Sequence, residues 1–355
     1  MSALTDALDR ILAWLQQYRP SHVSLLQPGL TAKEIEEIIA DMPLQLTQDI
    51  RELYQWRNGS RIIGEYKEFA WTFEFFSFYP LQIVVNGYLD RAKREKVELF
   101  GFEHPNALNI FLSVEPTDIG YVFIEEQAQE AAPVVFEYCK GGGCNPIIKY
   151  SSLTNMMLTI AEIYENADDV DTYGNFTIDS EKAITIWRKY NAYRITELAL
   201  IKLKGELSLE LLLEIETGLI QAKHPMAVEP LLHILQQPML TDEDFAPQHL
   251  AMTVLGELGD VRAVDILIYS LQNRYCRKSY YAAKSLGKLK DNRAVTPLIE
   301  ALQNSNDWVR RMVIWALGEI KDTRAIEPLS QLTNDQDNTM QEAAIRALNK
   351  IRYED

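Results

Sequence analysis

Hydrophobic positions in the last third of the chain recur with a fixed long period. Segments beginning at Ala263, Ala294 and Ala325 lie 31 residues apart, and each carries two successive helical patterns. A degenerate fourth copy begins at Ala227 and is stretched by five residues around the acidic loop 241–244. This self-similarity is typical of a solenoid of stacked helical pairs, in which neighbouring repeats supply the core that no unit buries alone. The leucines in register are Leu255, Leu286, Leu317 and Leu348.

The first 165 residues carry a different pattern, in which helical segments precede runs of aromatic and β-branched residues. Thr31 stands three positions before Glu34, the capping-box spacing, so a helix is predicted to begin near Ala32. A second helix is predicted over 45–56, ending at Asn58-Gly59, and a closing helix over 150–164. This order predicts an α+β domain with helices packed on an antiparallel sheet. The predicted strands are 69–78, 109–114, 120–125 and 133–139.

Composition divides the rest of the chain. The segment 166–177 is rich in acids and contains Gly174, so it is predicted to be an acidic linker after a domain spanning 1–165. Two helices without a repeat signature are predicted over 178–226 and are interpreted as a helical capping segment. Four helical repeats over 227–355 then form an all-α solenoid.

Charge and cysteine content limit the function classes. The 355 residues include 51 acids and 35 bases, a formal net charge of -16 that disfavours nucleic acid and favours basic partners. Three cysteines exclude a fully paired disulfide framework and are typical of a reducing, cytoplasmic location. The N-terminus lacks a basic segment followed by an apolar run, and no stretch approaches about 18 uninterrupted apolar residues. Neither a signal peptide nor a membrane span is predicted.

Motifs for catalysis are missing. The sequence contains no phosphate-binding loop, nucleophile elbow or zinc-protease motif, so no enzymatic activity, catalytic residue, metal or cofactor is predicted. Cys139 and Cys144 are interpreted as flanking a glycine-rich turn between strands, with a thiol or metal pair as the alternative. Glu229 and His233 share a helix face but lack a third ligand. Structural roles are predicted for the five histidines, His22, His104, His224, His233 and His249.

One surface of the repeats has the composition of a binding site. In the helix predicted over 308–320, the buried stripe includes Val313 and Leu317, and two tryptophans and an arginine point away from it. Shifting by 31 residues places a matching set on the preceding repeat, and stacking is expected to align both sets on the concave wall. Large aromatic residues beside arginine are typical of binding hot spots. The alternative is that both tryptophans pack against neighbouring helices. The candidate partner-binding residues are Arg277, Tyr280, Lys284, Trp308, Arg311 and Trp315.

The charge reverses sign around these residues. Residues 277–320 hold eight basic and four acidic side chains, a balance of +4. Because the whole chain carries -16, the remainder carries -20.

The repeat motif resembles a known family. The pattern A-V/I-x-P-L, followed by A-x-x-A-L-G-x-I/L-x-D-x-R, resembles the short HEAT-like repeats of the phycobilisome bilin-lyase type over about a third of the chain. The resemblance implies a HEAT-like solenoid that binds other molecules.

The N-terminal region carries a second resemblance. The motifs G-L-T-x-x-E-I-E-E at 29–37 and P-L-x-L-x-x-D-I-x-x-L-Y at 43–54 resemble the opening of the SUKH superfamily. The helix after Ser151-Ser152 resembles its closing helix, so the resemblance spans roughly 25–165. That superfamily includes yeast cell-wall-synthesis regulators and bacterial toxin-immunity proteins, which implies an interaction domain.

Three functions follow from these resemblances. The first is a non-enzymatic cytosolic adaptor or scaffold that binds protein partners through both regions. The second is a toxin-immunity protein whose acidic surface attracts a basic toxin. The third is a bilin-lyase-like protein, in which the basic residues of the candidate surface pair with tetrapyrrole propionates and the aromatic ones stack on the rings.

Overall fold

The computed structural model describes residues 2–63, 68–69, 71–73, 76–93, 107–113, 118–123, 133–140, 143–205, 208–238, 245–272 and 276–353. Its contacts divide the chain into two units, Met1–Glu197 and Leu198–Asp355. His104 and the acidic loop 241–244 lie outside the described residues, as do parts of the predicted strands.

The first unit contains helices and antiparallel strands. Its helices are α1 (Ala3–Tyr18), α2 (Pro20–Val23), α3 (Ala32–Ile39), α4 (Gln48–Trp56), α5 (Leu81–Lys93), α6 (Leu153–Glu165) and α7 (Ser180–Lys202), which ends in the second unit. Its strands are β1 (Leu26–Pro28), β2 (Arg57–Ser60), β3 (Ile62–Ile63), β4 (Glu68–Phe69), β5 (Trp71–Phe73), β6 (Phe76–Phe78), β7 (Ala107–Ser113), β8 (Asp118–Phe123), β9 (Val134–Lys140), β10 (Gly143–Tyr150), β11 (Asp169–Val170) and β12 (Phe176–Thr177).

Local capping fixes the predicted helix starts in this unit. The Thr31 hydroxyl accepts from the Glu34 backbone N–H, and the Glu34 carboxylate accepts from the Thr31 N–H, so the predicted capping box is confirmed. Asn58 has a role that the sequence did not indicate. Its Oδ1 accepts from the Leu81 backbone N–H at 2.9 Å, so it caps α5 and lies in β2.

The aromatic run was predicted as one strand, and this prediction is wrong. Within 69–78 the structure has β5 and β6, which pair antiparallel with Trp71 opposite Ser77. Both belong to a six-stranded antiparallel sheet of order β10-β9-β8-β7-β6-β5. Strand β10 follows the turn that was predicted between strands at Cys139 and Cys144, but its bounds were not predicted. Helix α5 was also missed and packs against β7.

The predicted acidic linker is an ordered hairpin of the first unit. Strands β11 and β12 pair antiparallel, and the ring of Phe176 lies 5.3 Å from that of Tyr164 and 5.9 Å from that of Trp14. Arg19 Nε donates to the Gly174 carbonyl at 2.8 Å. Because these contacts hold 166–177 to α1 and α6, the division between units falls later in the chain, inside α7.

The second unit is helical in its described residues. Its helices are α8 (Leu209–Ala222), α9 (Val228–Gln236), α10 (Phe245–Leu258), α11 (Val264–Leu271), α12 (Cys276–Leu289), α13 (Val295–Ala301), α14 (Asp307–Ile320), α15 (Ile326–Gln331) and α16 (Asn338–Tyr353). A 3-10 turn precedes the first helix of each repeat, at Pro225–Ala227, Val261–Ala263, Asn292–Ala294 and Thr323–Ala325. The register leucines Leu255, Leu286, Leu317 and Leu348 are buried in one hydrophobic core.

Consecutive second helices, α10, α12, α14 and α16, pack through glycines. A Cβ atom on Gly287 would lie 2.8 Å from the Cα of Ala316 in α14. A Cβ atom on Gly318 would lie 2.9 Å from the Cα of Ala347, and one on Gly256 would lie 3.0 Å from the Cα of Ser285. The helices therefore approach more closely than any side chain at these positions would allow.

Candidate partner-binding surface

The six candidate residues lie on two adjacent helices. Arg277, Tyr280 and Lys284 are three and four residues apart on α12, and Trp308, Arg311 and Trp315 repeat this spacing on α14. Residues at such spacing share one side of a helix. Because α12 packs against α14, we name these six residues the α12–α14 face.

Trp308 is the most exposed aromatic residue of this face. It lies in the first turn of α14, where Asn306 Oδ1 accepts from the backbone N–H groups of Trp308 and Val309. Its side chain is 66% exposed, and Arg311 Cζ lies 4.4 Å from the ring centroid. A guanidinium at this distance is held by a cation–π interaction, which stabilises the ring in an exposed position.

Arg311 itself is partly buried. Its Nε is shielded from solvent and has no hydrogen-bond partner within the described part of the chain. Its charge also reaches Asp337, whose pKa is lowered by hydrogen bonds from Thr339 and, to a smaller extent, by Arg311. Among the described residues, a guanidinium nitrogen that lacks an acceptor therefore lies beside an exposed tryptophan.

Trp315 differs from Trp308 because it packs between helices. A Cβ atom on Gly287 would lie 2.7 Å from its Cζ3, so the ring covers the glycine of α12. Trp315 is accordingly half-buried against the hydrophobic core. The sequence left open whether the two tryptophans are exposed on a binding surface or pack against neighbouring helices. Trp315 packs against a neighbouring helix, and Trp308 is exposed.

The α12 residues of the face differ in exposure. Arg277 is exposed, while Tyr280 and Lys284 are half-buried. The rings of Tyr280 and Tyr281 lie edge-on with their centroids 5.1 Å apart. The centroid of the Tyr281 ring lies 3.8 Å from that of His249 in α10. Burial lowers the pKa of His249, and the charge of Lys284 lowers it further. Lys284 therefore lies close enough to α10 for its charge to act on His249.

Sequence reasoning missed Lys278, which lies beneath the face. Its side chain is only 4% exposed, and its Nζ donates to Gln248 Oε1 at 2.7 Å. Burial lowers the pKa of its ammonium group. In the next two repeats the equivalent positions hold the buried apolar residues Val309 and Met340. The 31-residue alignment is therefore the signal that could have identified this lysine.

Substituting Lys278 with methionine is expected to stabilise the second unit by about 1 kcal/mol at pH 7, because it removes a buried charge from an apolar position. The gain is reduced because Gln248 loses its donor. Because the pKa of Lys278 is lowered in the folded state, the unfolded chain binds this proton more tightly. The buried ammonium therefore reduces the folding stability of the wild type by its full amount below the folded-state pKa. This loss of stability disappears as pH rises through 10.5. Urea unfolding at pH 7 and pH 10.5 measures both effects.

Glutamine at position 278 is the matched control, because it removes the charge and keeps a hydrogen-bonding group. An equal or lower stability of Lys278→Met at pH 7 would show that the ammonium is compensated in the native state.

Arginines on another side of the repeats are fully paired. Arg262, Arg293 and Arg324 each donate to the aspartate two residues earlier, and that aspartate caps the 3-10 turn. Arg293 Nη2 also donates to the Val261 carbonyl at 2.9 Å, and Arg324 Nη2 donates to the Asn292 carbonyl at 3.0 Å. These Asp-x-Arg staples join successive repeats.

A second set of charges runs across the ends of the second helices. Glu257 pairs with Lys288 in the next repeat, and Glu319 pairs with Lys350 in the repeat after its own. These four residues are 31 apart and alternate in sign, and we name them the Glu/Lys row. Lys290 Nζ lies a further 3.6 Å from Glu319 Oε2.

The other candidates from the sequence do not form a site among the described residues. No group of three or more His, Cys, Asp or Glu side chains is placed to hold a metal within the described ranges. Glu229 Oε1 accepts a hydrogen bond from Arg262 Nη1 at 2.6 Å. His233 Nε2 lies 3.2 Å from Gln237 Nε2. Cys139 and Cys144 are opposite each other in the β9–β10 pair, on either side of residues 141–142, which are not described.

No helix in the described ranges combines the length and the apolar character required to cross a bilayer.

The repeats match a known family of helical repeats. A family model of HEAT repeats matches residues 228–311 and 271–349, so the C-terminal region contains HEAT repeats. No curated protein matches the sequence significantly. The SUKH resemblance of the N-terminal region remains a prediction.

Solved structures also resemble part of the chain. The complex of CpcE and CpcF of phycocyanin lyase from Nostoc sp. PCC7120 is 26% identical, with a TM-score of 0.39 over 44% of this chain. The match spans 65% of that chain, less than two thirds of its length. Human deoxyhypusine hydroxylase in complex with glycerol is 16% identical, with a TM-score of 0.30, over 57% of this chain and 85% of that one. An engineered protein is 18% identical, with a TM-score of 0.31, over 47% of this chain and 91% of that one.

Proposed function

We propose that this chain is a non-enzymatic scaffold whose HEAT repeats bind a partner protein through the α12–α14 face. The observation that carries the proposal is the exposed ring of Trp308 beside Arg311. Tryptophan and arginine are the residues most enriched among binding hot spots. HEAT repeats support the same function, because stacked repeats present extended surfaces to partners.

The N-terminal unit enters the proposal through its sequence resemblance. We assign it a SUKH-like fold, with helices packed on an antiparallel sheet, and a second binding role. The six-stranded antiparallel sheet and the contact of α5 with β7 support this assignment.

The Trp308→Ala/Arg311→Ala variant tests the proposal. The intact chain and the variant are used for affinity purification from the native organism's lysate, and eluates are read by mass spectrometry and visible absorbance. We expect a stoichiometric protein partner that the variant loses, because truncating hot-spot residues typically costs 2 kcal/mol or more, about thirtyfold in affinity. Trp315 is left intact because it packs over Gly287.

Tyr269→Ala/Arg352→Ala is the matched control, since it removes an exposed aromatic residue and an exposed cation elsewhere in the same unit. A partner retained equally by all three proteins would overturn the assignment of this face. A bound pigment that the Trp308→Ala/Arg311→Ala variant loses would overturn the scaffold in favour of tetrapyrrole binding.

A further inference from the structure

We infer that the partner of the α12–α14 face is an acidic protein segment, whose carboxylates pair with Arg277, Lys284 and Arg311 and whose apolar side chain covers Trp308. This inference rests on the proposed function and adds the chemistry of the partner.

The cations of the α12–α14 face differ from their neighbours in ion pairing. On α12 and α14, Lys288 pairs with Glu257 and Arg310 pairs with Asp307. Arg277, Lys284 and Arg311 form no ion pair with any described residue. Elsewhere in the repeats, pairing is common among the described cations, including Arg262, Arg293, Arg324, Lys290, Arg346 and Lys350. Three cations without an ion pair thus lie together on the face that carries the exposed tryptophan, whereas Lys223, Lys278 and Arg352, which also form no ion pair with a described residue, lie outside it.

Arg311 carries an energetic cost because its Nε lacks an acceptor among the described residues. A charged donor that is shielded from water and makes no hydrogen bond loses its solvation without compensation. Arg311 Nε is in this state among the described residues. A carboxylate is the geometric complement of a guanidinium, so an incoming Asp or Glu side chain would pair with the accessible part of the partly buried Arg311 guanidinium and compensate its charge.

Lys284 is placed for the same role. Burial raises the pKa of Glu216 in α8, and the positive charges of Lys284 and then Lys288 partly oppose this shift. Lys284 therefore acts on Glu216 only at a distance, and its ammonium group remains available to a closer carboxylate.

Charge is distributed unevenly along the chain. Residues 277–320 carry +4, and the remaining residues together carry -20. The six residues of the α12–α14 face include three cations and no acid, so the approach of a short acidic segment to this face is favoured by complementary charge. A long polyanion such as nucleic acid is opposed by the net charge of -16 of the whole chain, so the observations favour the peptide.

Trp308 adds an apolar requirement. Its exposed ring already carries Arg311 at 4.4 Å, and burial of the ring by a partner residue would desolvate the cation–π pair and strengthen it. The expected segment therefore combines acidic residues with an aromatic or aliphatic residue.

Selection from a random peptide library displayed on phage tests the inference, with the intact chain as bait and the Trp308→Ala/Arg311→Ala variant for counter-selection. We expect enriched peptides with a net negative charge and at least one large apolar residue. A synthetic copy of the most enriched peptide should bind about tenfold or more weakly to Arg277→Gln/Lys284→Gln. Its affinity should also fall as salt concentration rises.

Arg352→Gln is the matched control, because it removes one exposed cation from α16 outside the face and should leave the affinity within about twofold. A glutamine version of the peptide tests the carboxylates directly, and we expect it to bind about tenfold or more weakly.

The outcomes separate this inference from the proposed function. Enrichment of neutral or basic peptides that still require Trp308 would overturn the acidic partner and leave the scaffold intact. Failure to enrich any peptide that requires Trp308 and Arg311 would overturn both. A single-stranded DNA oligonucleotide that binds the face more tightly than the selected peptide, with the same dependence on Arg277 and Lys284, would overturn the inference in favour of a phosphate ligand.

Discussion

Replacing Gly287 with valine is expected to destabilise the second unit by about 3 kcal/mol, near the upper end of the usual effects of overpacking. Even the first carbon of the new side chain would lie 2.8 Å from the Cα of Ala316, where it meets backbone. Helix α14 must then move away from α12, which opens gaps between the buried residues of both helices. Denaturant unfolding, followed by far-ultraviolet circular dichroism, measures the loss.

Gly87→Val is the matched control for this substitution. Gly87 is also inside a helix, but a Cβ atom there meets nothing within 4 Å. The same change in chemistry should therefore alter stability by no more than about 0.5 kcal/mol. An unchanged stability of Gly287→Val would show that the spacing of α12 and α14 is adjustable and is not set by the glycine.

Replacing Asn191 with leucine is expected to destabilise the first unit by about 3 kcal/mol. Asn191 of α7 is fully buried, and its Oδ1 accepts from the Ser151 backbone N–H at 2.9 Å and from the Ser151 hydroxyl at 3.1 Å. Its Nδ2 donates to Thr159 Oγ1 at 3.1 Å and to the Trp187 carbonyl at 3.0 Å. Leucine has a similar volume but removes the acceptor of the Ser151 backbone N–H, a buried donor that lies just before α6.

Thermal and denaturant unfolding of Asn191→Leu measure this cost, with Asn86→Leu as the control. Asn86 is exposed on α5, and its Oδ1 accepts from Gln82 Nε2 on the same helix, so its substitution should change stability by about 0.5 kcal/mol or less. Equal effects of the two substitutions would contradict the role assigned to the buried network.

The repeats could be predicted because their signal is long and internally redundant. The alignment of the blocks at Ala263, Ala294 and Ala325 assigns the register leucines to equivalent positions, and all four of them are buried in the core. Stacked units contact mainly their neighbours, so one period determines the local packing everywhere. The capping box at Thr31 was predictable for a different reason, since both of its hydrogen bonds lie within four residues.

The first unit was less predictable because its pairing is non-local. Aromatic residues over 69–78 favour extended structure, but propensity alone does not show where a strand ends and its partner begins. Helix α5 did carry a readable signal, since Leu81, Val84, Val85 and Tyr88 are buried at helical spacing. The segment 166–177 was predicted as a linker from its acids, although the contacts of Phe176 with Trp14 and Tyr164 decide its position.

The residues that share the α12–α14 face could be predicted from the sequence, but the burial of each of them could not. Helical spacing placed each set of three residues on one side of α12 or α14. Spacing cannot tell Trp308 from Trp315, because the difference arises on the neighbouring helix, where Gly287 makes room for one ring. The lack of an acceptor for Arg311 Nε among the described residues is likewise a property of its surroundings.

The charges of the Glu/Lys row alternate in sign from one repeat to the next, so like charges recur every second repeat. Glu257 and Glu319 lie two repeats apart, as do Lys288 and Lys350, whereas unlike charges lie one repeat apart. Loss of a single 31-residue repeat between α10 and α14 would bring Glu257 beside Glu319 and replace attraction with repulsion. Loss of two repeats would bring Glu257 beside Lys350 and restore the attraction. The Asp-x-Arg staples of Arg293 and Arg324 both donate to a backbone carbonyl of the preceding repeat, so they do not distinguish these cases. An array of this kind would therefore tolerate changes in length more readily in pairs of repeats than in single repeats.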